Sequence, residues 1–136
     1  MKESFAAYSH ALTALAFWAI LISVLGALST MGRTPEGRCD CGKPKRNYDD
    51  VVYRRERAFM NAIEASGPFL ASTLAAVLLG APVFWVNLFA ALFVVVRVAM
   101  AVVHIGTINQ PMRSLFFMLG LVCILALAVL AIFAAF

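Results

Sequence analysis

The chain has 136 residues, 63% of them hydrophobic and only 13% charged. A water-soluble domain is roughly half apolar and about a quarter charged, so these proportions exclude an ordinary soluble enzyme and point to an integral membrane protein, read as one domain. The formal net charge of +4 does not imply a nucleic-acid partner, because most of the basic residues gather in one stretch beside apolar runs, as membrane-flanking loops do.

Four apolar runs follow one another at about 6–31, 53–80, 83–106 and 112–135. Each is near the roughly 20 residues that a spanning helix needs. The expected fold is therefore all-α, a bundle of four transmembrane helices. The first run follows Lys2 and Glu3 and contains His10 and Trp18. It is long enough to span, and Ser29-Thr30-Met31-Gly32-Arg33 is a poor cleavage sequence, so it reads as a retained helix rather than a signal peptide. The segment 32–52 is the long connection, rich in Gly, Pro and charge. It carries Cys39-Asp40-Cys41, whose spacing suits half of a metal site. No second Cys or His pair stands nearby to complete four ligands, and a disulfide is out of place in a reducing cytosol. The expectation is two loop thiols without a fixed role, and no metal.

The second run opens with the stretch around which the chain is organised, Tyr53 to Leu70. On a helix, Arg54, Arg57, Asn61 and Glu64 share one face and Ala58, Ile63 and Ala65 lie on the other. The helix thus carries a polar stripe into an apolar phase, where such groups face protein, water or a ligand. Gly80-Ala81-Pro82 then makes an uncharged turn into the third run, which contains Trp85. There Arg97 has valine on both sides and lies ~14 Å from the nearer helix end, while Glu64 on the antiparallel neighbour lies ~10 Å deep. An unpaired arginine at that depth is costly, so a Glu64–Arg97 ion pair is expected, either as a helix clamp or as part of a site. His104 shares a face with Arg97, either as a packing or solvated histidine or as a member of a cytosolic site. Asn109-Gln110-Pro111 leads into the fourth run, with proline placed to start a helix. Arg113 and Ser114 at that start form an anion site or, alternatively, the arginine reaches lipid phosphates. Cys123, inside the fourth run, reads as a packing residue.

The basic residues Arg33, Arg38, Lys43, Lys45, Arg46, Arg54, Arg55, Arg57 and Arg113 all fall on one side of the membrane, with Lys2 alone opposite. The positive-inside rule then places the long loop in the cytosol and both termini outside, with the chain in the inner (plasma) membrane of a bacterium.

With these residues in place, the chain resembles the MAPEG family, the membrane-associated proteins in eicosanoid and glutathione metabolism, in its microsomal glutathione transferase and prostaglandin E synthase branch. The resemblance covers all four helices. It is carried by Arg57-Ala58-x-x-Asn61-x-x-Glu64 with Pro68-Phe69-Leu70, by Arg97-Val98-Ala99, and by Pro111-Met112-Arg113-Ser114. It implies a homotrimer that binds glutathione in the cytosolic half and brings it to a lipophilic small-molecule substrate from the bilayer, surrounded by membrane lipids. It also implies that Arg33, Arg57, Asn61 and Glu64 bind glutathione, and that Arg113 with Ser114 stabilises its thiolate; His104 is expected to join the glutathione-binding set from its own position, in the same cytosolic zone as Arg57 and Arg113. The chain departs from the branch at Met60, Met100, His104 and Phe117, where an arginine or tyrosines stand in relatives. The function implied is activation of the glutathione thiolate for attack on lipophilic electrophiles or hydroperoxides. A non-catalytic glutathione- or lipid-binding membrane scaffold is the alternative. A small transporter or channel subunit is a third reading, although no repeated pair of broken helices is present to support it.

Overall fold

A computed structural model describes residues 5–136 as four helices, α1 (Ser9–Thr30), α2 (Val51–Leu78), α3 (Val83–Gly106) and α4 (Gln110–Ala135). Of these, α1, α3 and α4 are long and apolar enough to cross a membrane. α2 is the longest at 28 residues, but Asn61, Glu64 and a run of small residues dilute its apolar half. Lys2 and Glu3, which frame the first run, lie outside the described residues.

Local chemistry sets the helix ends. Asp50 caps α2 by accepting a hydrogen bond from the Val52 N–H at 2.8 Å, so the helix begins ahead of Tyr53. At the other end Gly80 takes a left-handed conformation (φ 69°). Ala81 N–H then bonds the Ala76 carbonyl at 2.9 Å and Gly80 N–H that of Val77 at 3.2 Å, a Schellman stop followed directly by Pro82. Asn109 caps α4 through the Met112 N–H at 3.1 Å.

α2 and α3 pack against each other in the middle, with α1 against both on one side and α4 against both on the other. Small residues line the contacts, including Ala11, Ala58, Ala62, Ala76 and Ala90, and let the backbones approach closely where lipid offers no hydrophobic drive. Trp18, Phe69 and Phe93 fill the centre. The two phenylalanine rings stack at 3.9 Å, and Trp18 meets Phe93 edge-on at 5.0 Å and donates its indole N–H to Ser66 Oγ at 3.2 Å. Trp18 is thus a core residue. Asn87 joins α3 to the start of α1, accepting from Ala11 N–H at 2.9 Å and donating to the Ala7 carbonyl at 2.8 Å. The outside of the bundle is largely apolar, with Phe17, Ile20, Leu78, Phe84, Val95, Val102, Val122, Ile132 and Phe133 all exposed. Lipid, not water, suits such a surface.

The connection between α1 and α2 corrects one expectation. Cys39 and Cys41 are joined by a disulfide, with Cα atoms 5.2 Å apart. Gly42 (φ 77°) turns the chain so that its N–H bonds the Cys39 carbonyl and Cys39 N–H bonds that of Lys43, both at 2.9 Å. This turn brings the two sulfurs within bonding reach, which their sequence spacing alone does not reveal.

Candidate functional site

The charged ends of α2, α3 and α4 converge on one end of the bundle. Arg54 donates to the Ile105 carbonyl at the end of α3 at 3.0 Å, and to the Tyr48 and Asp49 carbonyls at 2.6 and 2.9 Å. It therefore fastens the last residues of the loop onto the bundle. Tyr48 is set against the start of α4. Arg113 Nη1 donates to its hydroxyl at 2.8 Å, the guanidinium carbon lies 5.4 Å from the ring centroid, and Tyr53 meets the ring edge-on at 5.3 Å. Arg57 stands beside the same phenol as a second positive charge. Burial raises the Tyr48 pKa, but the hydrogen bond and charge of Arg113, joined by Arg57, outweigh it and leave the hydroxyl more acidic than an ordinary tyrosine.

His104 lies just inside this cluster. It is 4% exposed, and neither ring nitrogen has a partner among the described residues. Arg54, Arg57, Arg97 and Arg113 all act on it electrostatically. It lines a cavity of about 10 Å³ with Trp18, Ala58, Asn61, Arg97 and Met100, room for about one water molecule.

Deeper in the bundle, Arg97 is 5% exposed. It donates to the backbone carbonyl of Asn61 at 2.7 Å and to its side-chain oxygen at 2.6 Å. Its guanidinium carbon also lies 5.8 Å from the centroids of both Trp18 and Phe93. Gly120 of α4 makes room for the stem, since a Cβ there would come within 3.2 Å of the Arg97 Cδ. The expected Glu64–Arg97 ion pair is not formed. Among the described residues the ion pairs are Arg33–Glu56 and Lys43–Glu56, and Glu64 is exposed on the outer side of α2. Three helical residues turn about 300°, so Glu64 is rotated roughly 60° from the Asn61 line that faces α3. The two charges share a cavity rather than a bond. This cavity, about 150 Å³, lies between α2 and α4 and is lined by Asn61, Glu64, Pro68, Arg97, Phe117 and Gly120 among others. Pro68 lies inside α2 and has no N–H to offer the Glu64 carbonyl, which leaves this part of the helix open.

Of the other expected residues, Ser114 is exposed at the start of α4. Arg33 is not part of the convergence. It donates to Glu56 Oε2 and to the Ser29 carbonyl, at 2.6 and 2.7 Å. Sequence reasoning did not single out Tyr48, Glu56 or the anchoring role of Arg54. A carboxylate inside a run of arginines is the one signal that marks Glu56. Nothing in the sequence marks Tyr48.

The arrangement is a group of guanidiniums at a helix N-terminus, with a largely apolar crevice between α2 and α4 deeper in the bundle. It suits a small anionic ligand and a lipophilic one. A family model of MAPEG matches residues 5–133, and the chain belongs to the MAPEG family, whose members include glutathione transferases and peroxidases as well as non-catalytic proteins. No curated protein matches the chain.

Proposed function

We propose that this protein is a glutathione-dependent membrane enzyme of transferase or peroxidase type that acts on lipophilic electrophiles or hydroperoxides. The observation that carries the proposal is the set Arg54, Arg57, Arg97 and Arg113, none of which has a carboxylate partner among the described residues. Positive charge gathered without compensation at one end of a bundle favours an anionic ligand. The donor set fits glutathione, with its two carboxylates, one ammonium and one thiol. Arg57 matches a carboxylate through its fork of N–H groups. Asn61 gives its side-chain oxygen to Arg97 and keeps its amide N–H groups for a ligand. Glu64 suits the ammonium, and the free ring nitrogens of His104 add a donor and an acceptor. Arg33 is engaged by Glu56 and stands outside this set. When bound, glutathione supplies a thiol that becomes a nucleophile on ionisation. Arg113, Ser114 and the first N–H groups of α4 favour that anion. The mostly apolar crevice beside Glu64 and Phe117 suits a lipophilic partner arriving from the bilayer.

A charged Glu64 on the outer surface at membrane depth requires protein or ligand against it. That supports assembly of the bundle into an oligomer, a trimer as the family resemblance implies. The charge bias supports a cytosolic site with both termini outside, while the Cys39–Cys41 disulfide in the same loop argues for an oxidising compartment and so against that orientation. Native mass spectrometry in mild detergent giving monomers only would count against the trimer, and cleavage of the Arg38–Arg46 loop from outside sealed cells would reverse the orientation.

The test of function is calorimetry with glutathione and its S-methyl form, followed by conjugation of an aromatic electrophile. Binding with turnover is the expected result, and no heat with either ligand ends the reading. Binding without turnover selects the scaffold alternative, which Phe117 favours because it brings no hydrogen-bond donor to the crevice.

A further inference from the structure

We propose that Tyr48 is a thiol-activating residue, its phenolic hydroxyl donating a hydrogen bond to the ligand anion that Arg113 holds. The inference rests on the glutathione site described above and assigns the loop between α1 and α2 a direct part in it.

A phenol has one O–H to donate and lone pairs to accept with. Arg113 Nη1 donates to the Tyr48 oxygen at 2.8 Å. Among the described residues, no acceptor takes the Tyr48 O–H. The hydroxyl therefore stands beside the guanidinium with its own proton unengaged. An anion that binds Arg113 meets a second donor at the same place.

The position of the ring is built rather than incidental. Arg54 holds the Tyr48 and Asp49 carbonyls and, through the Ile105 carbonyl, ties them to α3. Asp50 caps α2 two residues later, Tyr53 packs on the ring edge, and Arg113 of α4 packs on its face. Three helices thus fix one loop side chain. The charged groups around it are Arg113, Arg57 and Arg54, with His104 behind them. Because this setting makes the phenol more acidic than usual, its O–H is a stronger donor to an anion.

The chemistry is simple to balance. The S–H bond of the thiol breaks, its proton passes to bulk water at the membrane surface, and the electron pair stays on sulfur. The Tyr48 O–H remains intact and donates to that sulfur beside the Arg113 N–H groups. No proton is transferred to Tyr48 and no oxidant is needed.

The experiment compares the full-length protein with Tyr48→Phe, which keeps the ring on Arg113 and Tyr53 and removes only the hydroxyl. Two quantities are read on the same preparations: the ultraviolet absorbance of bound thiolate against pH, and the calorimetric affinities for glutathione and S-methyl glutathione. Loss of one hydrogen bond to an ionised acceptor should move the thiolate midpoint up by about one pH unit, roughly tenfold less thiolate at fixed pH. The affinity for S-methyl glutathione, which has no proton to lose, should stay within about twofold. An unmoved midpoint with both ligands still bound overturns the role of Tyr48 and leaves the glutathione site standing. Equal weakening of both ligands with an unmoved midpoint also overturns it, and shows Tyr48 to be mere packing for Arg113. If the unmodified protein binds neither ligand, the glutathione reading falls and this inference with it.

Discussion

Two arginine arrangements lie toward the same end of this bundle, and they differ in what they leave free. Arg33, just past α1, donates to a Glu56 side chain that is only 8% exposed and to the Ser29 carbonyl. Its charge is matched within the chain, and the result is a clamp between α1 and α2. Arg54, Arg57 and Arg113 meet carbonyls, a phenol and one another's fields, but no carboxylate. The same residue type is a fastener in one place and an open binding surface in the other. What decides is the presence of a carboxylate, not depth or proximity to the membrane. Arg97 is an intermediate case, buried and fully engaged, but by Asn61 and aromatic faces instead of an acid.

Breaking the clamp should have the largest effect on stability. Glu56→Ala leaves Arg33 without its acid. Removing one member of a buried pair costs about 3–5 kcal/mol, and the part-exposed Arg33 puts the expected loss near the lower end, about 3 kcal/mol. Unfolding of the purified protein by heat or denaturant in mild detergent measures it. The affinity of the folded fraction for glutathione should change little, and a large loss of affinity would show that clamp and site are one unit.

Arg57→Ala should do the reverse. It deletes a charge-assisted hydrogen bond to ligand worth about 1.5–3 kcal/mol, hence one to two decades in affinity at about 1.4 kcal/mol per decade. Stability should move by less than about 0.5 kcal/mol, as for a surface position, or rise as repulsion in the cluster is relieved. Calorimetry and unfolding on the same variant decide. A stability loss as large as that of Glu56→Ala would erase the distinction between fastener and binding surface.

The fold was far more legible in the sequence than the pairing of its charges. Apolar runs, Gly80 before Pro82 and Pro111 after Asn109 announce four helices, because burial and backbone chemistry act locally. Arg97 was recognisable as a buried charge, since valines flank it. Its partner is not legible in the sequence, because Asn61 and Glu64 lie on one stripe at similar depth and only the packing of α3 shows that the facing line runs through Asn61. Arg33–Glu56 and Tyr48–Arg113 join residues 23 and 65 positions apart. Both contacts depend on how the long loop folds back. Arg54 decides that through backbone carbonyls, and carbonyls are the same at every residue, so no side-chain pattern reports them.

The start of α4 sharpens the comparison at smaller scale, between a charged donor and a neutral one. Arg113→Leu removes a guanidinium and should raise the midpoint of thiolate formation by one to two pH units, with conjugation slowed by about the same factor, since a hydrogen bond from a charged donor is worth about 1.5–3 kcal/mol. Ser114 sits one residue on, exposed and uncharged. Its hydroxyl adds at most one neutral hydrogen bond, worth about 0.5–1.5 kcal/mol, which is roughly a two- to tenfold change. Ser114→Ala should therefore shift the midpoint in the same direction by less than about one unit, with glutathione affinity preserved because the carboxylate contacts lie on α2. Thiolate absorbance against pH, measured beside the conjugation rate, separates the two. If Ser114→Ala moved the midpoint further than Arg113→Leu, the anion would be held by the hydroxyl and the helix N–H groups, and Arg113 would serve chiefly to seat Tyr48.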